Sequence, residues 1–136
     1  MTNEECIVVL ERFIRLGVEC EYVEFKEKND NPELIGKYIS GLSNGANLHN
    51  QKYAYLIFGI KDQTLEIVGT DFNPKTAKYK NNQDLELGLS LYLSPSIDFH
   101  FYSFIYKNKN LVLIQIPAAF GQPTLFHHIS YIPFWA

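Results

Sequence analysis

A chain of 136 residues suffices for one domain with its own hydrophobic core, and with 46% apolar and 15% aromatic residues it is excluded from the disordered class. A net charge of −3 excludes a protein that coats nucleic acid by bulk attraction. The charge is uneven: residues 1–34 hold nine acids and four bases, a net −5, and the remainder six acids and eight bases, a net +2. That asymmetry fits either a cation-binding acidic pocket beside a mildly basic surface or a solvated acidic N-terminal helix.

Residues 4–16 predict an amphipathic helix, with Ile7, Leu10 and Ile14 repeating along one stripe, Thr2 or Asn3 as its cap and Gly17 as its end. Tyr22 to Lys26 alternates as a short strand, Val23 and Phe25 facing the core and Glu24 and Lys26 projecting together from the other face. A polar loop over 27–31 leads to a helix from Pro32 to about Asn44, capped by Asn31, which Gly45-Ala46-Asn47 is expected to break. Tyr53 to Ile60 is an apolar run expected to be a central strand buried on both faces. Lys61 to Thr64 then turns it into a hairpin with Leu65 to Val68, closed by Gly69.

The connection from Asn73 to Gln83 carries Lys75, Lys78 and Lys80 with Tyr79, a basic, aromatic-bearing loop suited either to a nucleic-acid backbone or to plain solvation. Leu85 to Leu91 reads as a short helix or irregular packed segment, although the leucine alternation also permits a strand. Ile97 to Tyr106 is a strand with two aromatic faces, Lys107 to Asn110 its turn and Leu111 to Ile116 the antiparallel return. Thr124–Phe126 and Tyr131–Ile132 suggest a last short pair. The predicted class is mixed α/β (α+β): one domain over residues 1–136, with a mostly antiparallel sheet built from hairpins and helices packed on it.

Several motifs can be set aside. Cys6 and Cys20 form no CxxC pair and have no clustered histidines, which argues against zinc and is compatible with a reducing compartment. Met1 is followed by polar residues, and no apolar run approaches the ~20 residues of a membrane span, so a cytoplasmic location without a membrane segment is expected. Asn44-Gly45-Ala46-Asn47 lacks the lysine and serine of a P-loop. His127-His128 has no metal-type neighbours in sequence, and Lys107 and Lys109 at a hairpin tip are read as solubilising.

Four segments taken together carry more. Tyr22-Val23-Glu24-Phe25-Lys26, Ile39-Ser40-Gly41-Leu42-Ser43-Asn44, Tyr55-Leu56-Ile57-Phe58-Gly59-Ile60-Lys61-Asp62 and Ile67-Val68-Gly69-Thr70 occur in that order. The series resembles the Schlafen AlbA-type domain, and Ile114–Ala118 and Gln122–Phe126 are similar to its later segments, so that the resemblance spans about residues 19–132. The chain departs from the family pattern after Tyr131-Ile132, where Pro133 stands in place of an arginine, and a chain truncated relative to its relatives is expected.

The resemblance implies a three-carboxylate nuclease site of Glu19, Glu24 and Asp62. Carboxylates near an anionic phosphodiester make chemical sense only with a hard cation between them, so Mg²⁺ or Mn²⁺ is the implied metal. Lys26, beside Glu24, would contact the scissile phosphate or steady the leaving oxygen. Glu21, outside the strand phase, is read as a solvent-exposed acid. The expected function is a metal-dependent endoribonuclease acting on structured RNA such as tRNA, with homodimerisation to widen a narrow platform. The competing classes are a non-catalytic DNA- or RNA-binding module of a regulator or defence protein, and an orphan interaction domain.

Overall fold

The computed structural model describes every residue except 18–19, 29–30 and 133–136. Glu19, part of the 27–31 loop and Pro133 therefore lie outside the described residues. The order of elements is α1 (Asn3–Leu16), β1 (Val23–Lys26), α2 (Pro32–Leu48), β2 (Tyr53–Phe58), α3 (Leu85–Tyr92), β3 (Leu93–Ser94), β4 (His100–Tyr106), β5 (Lys109–Pro117), β6 (Leu125–Phe126) and β7 (Ile129–Ser130). The class expected from sequence is the one observed: the main sheet has the order β1-β2-β5-β4, and a smaller one the order β3-β6-β7.

The sheet is less hairpin-built than expected. β1 and β2 are parallel, joined through α2, so the first half of the domain is a β-α-β unit. β2 pairs antiparallel with β5, far away in sequence; β4 and β5 form a two-residue hairpin, with Lys107 and Asn108 both at positive φ, and in the small sheet β6 and β7 form another, with His127 and His128 both at positive φ. The expected partner strand over Leu65–Val68 shrinks to a single bridge between Ile60 and Ile67. β2 already has β1 on one side and β5 on the other, which leaves no free edge for a third strand. β4 starts at His100 rather than Ile97, and the last strand pair lies at Ile129–Ser130 rather than Tyr131–Ile132.

Helix ends follow local chemistry. Thr2 caps α1: its Oγ1 accepts from the Glu5 N–H at 3.1 Å, while its own N–H donates to Glu5 Oε1 at 2.8 Å. Hydrogen bonds from the Thr2 backbone N–H, and then from its side chain, hold the Glu5 carboxyl below its ordinary pKa. Asn3, the other candidate cap, instead grips the open edge of β4, bonding the Ile105 N–H at 2.8 Å and the Ile105 carbonyl at 3.1 Å.

α2 does not stop at Asn44; it continues to Leu48. Gly45, expected to break it, serves a close approach: a Cβ there would run into the backbone carbonyl of Glu21. The glycine therefore lets α2 lie against the chain that leads into β1.

Two apolar layers sandwich the sheet. Ile35, Ile39, Leu42 and Ala46 of α2, with Leu85 and Leu89 of α3, cover Leu56, Phe58, Val112, Ile114 and Ile116. On the opposite face Cys6, Leu10 and Phe13 of α1 cover Val23, Phe25, Tyr55, Ile57 and Leu113. Burial of this kind is worth roughly 1.5–3 kcal/mol per large side chain. No described helix is long and apolar enough to cross a membrane.

Candidate functional site

The register of β1 places Glu24 opposite Leu56 and Lys26 opposite Phe58, on the α2 face of the sheet. The alternation expected of the strand is observed, with Val23 and Phe25 on the α1 face. The face opposite them is not solvent, however. α2 crosses over it, and Glu24 is only 3% exposed. A buried carboxylate costs several kcal/mol unless charge or hydrogen bonds compensate it. Lys26 Nζ lies 4.0 Å from Glu24 Oε1 and 4.9 Å from the centre of the Tyr38 ring, so the lysine bridges the acid and the first half of α2.

Asp62 lies beyond the end of β2, in the exposed turn that follows Lys61. That turn is held by backbone bonds between Lys61 and Glu66 and between Leu65 and Lys61. The parallel pairing of β1 and β2 sets Asp62 at the same end of the sheet as Lys26, whose carbonyl accepts from the Gly59 N–H at 2.7 Å. Glu24 and Asp62 supply hard oxygen donors of the kind Mg²⁺ or Mn²⁺ prefers. Among the described residues, no group of three or more His, Cys, Asp and Glu side chains is placed to hold a metal ion. Glu19, the third member of the expected set, is not among them.

The other expected residues fall as follows. Glu21 is not a free acid; its Oε1 lies 3.4 Å from His49 Nε2. Lys75, Lys78 and Lys80 are exposed, and Lys78 is engaged with Asp84 at 2.9 Å. Tyr79 is turned away from that loop surface and is 6% exposed. Its hydroxyl donates to Glu33 Oε1 at 2.9 Å and sits 3.0 Å from His127 Nε2. Burial, followed by the adjoining Glu33 carboxylate, pushes the Tyr79 phenol well above its ordinary pKa. His127 stacks on Tyr92 with centroids 4.1 Å apart. This Glu33–Tyr79–His127 latch joins three segments distant in sequence, and no local pattern announces it.

The Ser40–Asn44 motif also acquires a role. Ser40 Oγ donates to the Thr124 carbonyl at 2.8 Å, and Ser43 Oγ to the Pro117 carbonyl at 2.8 Å. Asn44 Nδ2 donates to the carbonyls of Thr124 at 3.1 Å and Tyr131 at 2.8 Å, while its Oδ1 accepts from the Thr124 N–H at 2.8 Å. One face of α2 thus satisfies the backbone of the 117–131 segment, which otherwise would bring buried, unpaired polar groups into the core.

Comparison with known proteins bears on the family and the fold. The family model described as Schlafen, AlbA_2 matches residues 19–132. No curated protein matches the chain. Among solved structures it is similar to the crystal structure of the DIP2311 protein from Corynebacterium diphtheriae, at 19% identity and a TM-score of 0.51, over 79% of this chain and 19% of that one. It is also similar to the solution structure of an N-terminal domain from Nitrosomonas europaea, from a protein described as ATP-dependent DNA helicase RecG-related. There the identity is 16% and the TM-score 0.55, over 81% of this chain and 71% of that one. At these identities the likeness is one of fold, and the chain spans only about a fifth of the corynebacterial protein.

Proposed function

This chain belongs to the Schlafen, AlbA_2 family, and from that premise we propose that it is a nucleic-acid-processing domain that cleaves structured RNA, such as tRNA, with a divalent metal. Glu19, Glu24 and Asp62 would hold Mg²⁺ or Mn²⁺, which when bound would activate a water and stabilise charge on the phosphate. Lys26 would pair with the phosphate, and the exposed Lys75, Lys78 and Lys80 would track the backbone. Cys6 and Cys20, which form no disulfide, agree with a reducing, cytoplasmic setting. Two copies on one folded RNA would supply the platform that one small domain lacks.

The observation that carries this reading is Glu24. A carboxylate kept 3% exposed on a core face, where an apolar side chain would be the more stable choice, points to retention for function. A second reading, binding without turnover, is favoured by Asp62 lying exposed in its turn and by Lys26 already supplying positive charge beside Glu24.

Incubation of the protein with tRNA, rRNA and DNA in Mn²⁺, Mg²⁺ or EDTA separates the two. Metal-dependent cutting that falls at least ~100-fold in Glu24→Ala supports the enzyme. A retained gel shift with intact substrate favours the binding module, and neither effect leaves only an interaction domain.

A further inference from the structure

α1 covers only part of its face of the sheet. Beyond it, at the end where β2 starts and β5 finishes, an open groove of about 760 Å³ is left. Its floor and walls are Tyr53 of β2, His100 and Tyr102 of β4, Gln115 of β5, and Lys52 and Phe120 at the rim. The volume lies inside the ~300–1,000 Å³ range of small-ligand sites.

Three features of this groove stay accessible to a ligand. Gln115 interrupts the run Leu111-Val112-Leu113-Ile114, in register between Tyr55 and His100, and its side-chain amide makes no hydrogen bond with the described chain. Phe120 is 94% exposed, beside Gly121 at φ 78°, although nothing in the core needs an aromatic there. Tyr53 and Tyr102 are only partly buried on the α1-side cluster, and the Lys52 ammonium lies 5.5 Å from the Tyr53 ring centre.

From these features we infer that the groove is a nucleobase-binding platform for single-stranded nucleic acid. Aromatic rings offer faces on which bases of any sequence stack, and an unpaired amide can both donate to and accept from a base edge. Lys52 lies where it would meet a phosphate. The one nearby acid, Asp98, is engaged, its Oδ2 lying 3.1 Å from His100 Nε2. A duplex hides the base faces, so the ligand is a single strand or an unpaired loop. The platform lies on the α1 face and the Glu24–Lys26 pair on the α2 face, where Glu24 is level with Leu56 and Lys26 with Phe58, about 10 and 17 Å along β2 from Tyr53 at ~3.3 Å per residue. A strand held at the groove is therefore separated from the carboxylate site by the sheet itself.

This inference rests on the nucleic-acid reading, though not on the carboxylate site. Its test uses fluorescence anisotropy of the full chain with labelled six-nucleotide RNA and DNA, each as uridine or thymidine oligomers and as abasic oligomers of the same charge. The platform predicts that abasic oligomers bind at least about ten-fold more weakly than intact ones, and that Phe120→Ala and Gln115→Leu each lose about five- to ten-fold on intact oligomers only. Circular dichroism confirms that each variant is folded, and Phe120→Ala, fully exposed, has no packing to lose. RNA and DNA affinities that differ would identify which sugar the groove accepts. Binding that is unchanged by both substitutions and by removal of the bases overturns the platform while leaving the nucleic-acid reading intact. A wild-type chain that binds no oligomer and no tRNA overturns both.

Discussion

The two faces of one sheet handle their polar groups in opposite ways. On the α2 face polar side chains are buried and spoken for. Ser40, Ser43 and Asn44 bond the 117–131 backbone, Tyr79 bonds Glu33 and His127, and even Glu24 has Lys26 at 4.0 Å. On the α1 face coverage stops partway, and the polar residue in mid-sheet, Gln115, bonds nothing in the described chain. Polar groups on the first face hold the fold together. On the second, the Gln115 amide is left to meet something else.

Mutations should separate the faces. The largest loss is expected from Asn44→Ala, which removes four hydrogen bonds, three of them to the backbone, and takes from the buried Thr124 N–H and the Tyr131 carbonyl their Asn44 partner. A drop of about 3 kcal/mol is expected in urea unfolding. A value under ~0.5 kcal/mol would mean that the 117–131 segment is held by something other than α2. Gly45→Ala sharpens the same point. It gains up to ~1 kcal/mol of helix propensity, yet its Cβ meets the Glu21 carbonyl, so a net loss of about 1–2 kcal/mol is expected. A stabilised variant would show that α2 and the approach to β1 move apart freely.

Tyr79 gives the comparison a pH dependence. Its folded pKa is raised well above the ordinary tyrosine value of 10.0, chiefly by burial. Above about pH 10 the unfolded chain loses the phenol proton while the folded chain keeps it, so the folded state binds more protons and stability falls as pH rises. Tyr102 and Tyr106 are shifted the same way, mainly by burial, and add to the fall. Tyr79→Phe should flatten part of the alkaline decline in melting temperature. An unchanged slope would show that Tyr79 is not held protonated by its surroundings. The smallest effects belong to the α1-side groove: Gln115→Leu and Phe120→Ala should shift stability by no more than ~0.5 kcal/mol. A large loss in either would make that side chain structural.

Much of the fold is legible from the sequence because its signals are local. The Thr2 cap, the Gly17 stop, the Asn31-Pro32 start and the apolar run Tyr53–Phe58 all emerge where their residues predict. The errors arise where a distant segment decides. Gly45 looks like a helix breaker by propensity but answers to Glu21, and Leu65–Val68 looks like a hairpin strand but loses the edge of β2 to β5. The candidate site divides the same way. The alternation of β1 correctly sets Glu24 and Lys26 on one face, whereas the burial of that face under α2 depends on a crossover that periodicity does not encode. The Tyr79 latch and the Gln115 groove are assembled across long sequence separations, and Gln115 alone leaves a trace, as one amide in an apolar strand.

Nucleic-acid binding is tested most simply by the anisotropy of labelled tRNA titrated with the full chain at rising salt, in Mn²⁺ and in EDTA. Saturable binding that weakens steeply as salt rises is expected, since phosphate contacts release counterions. No change in anisotropy at any salt, with or without metal, would contradict it.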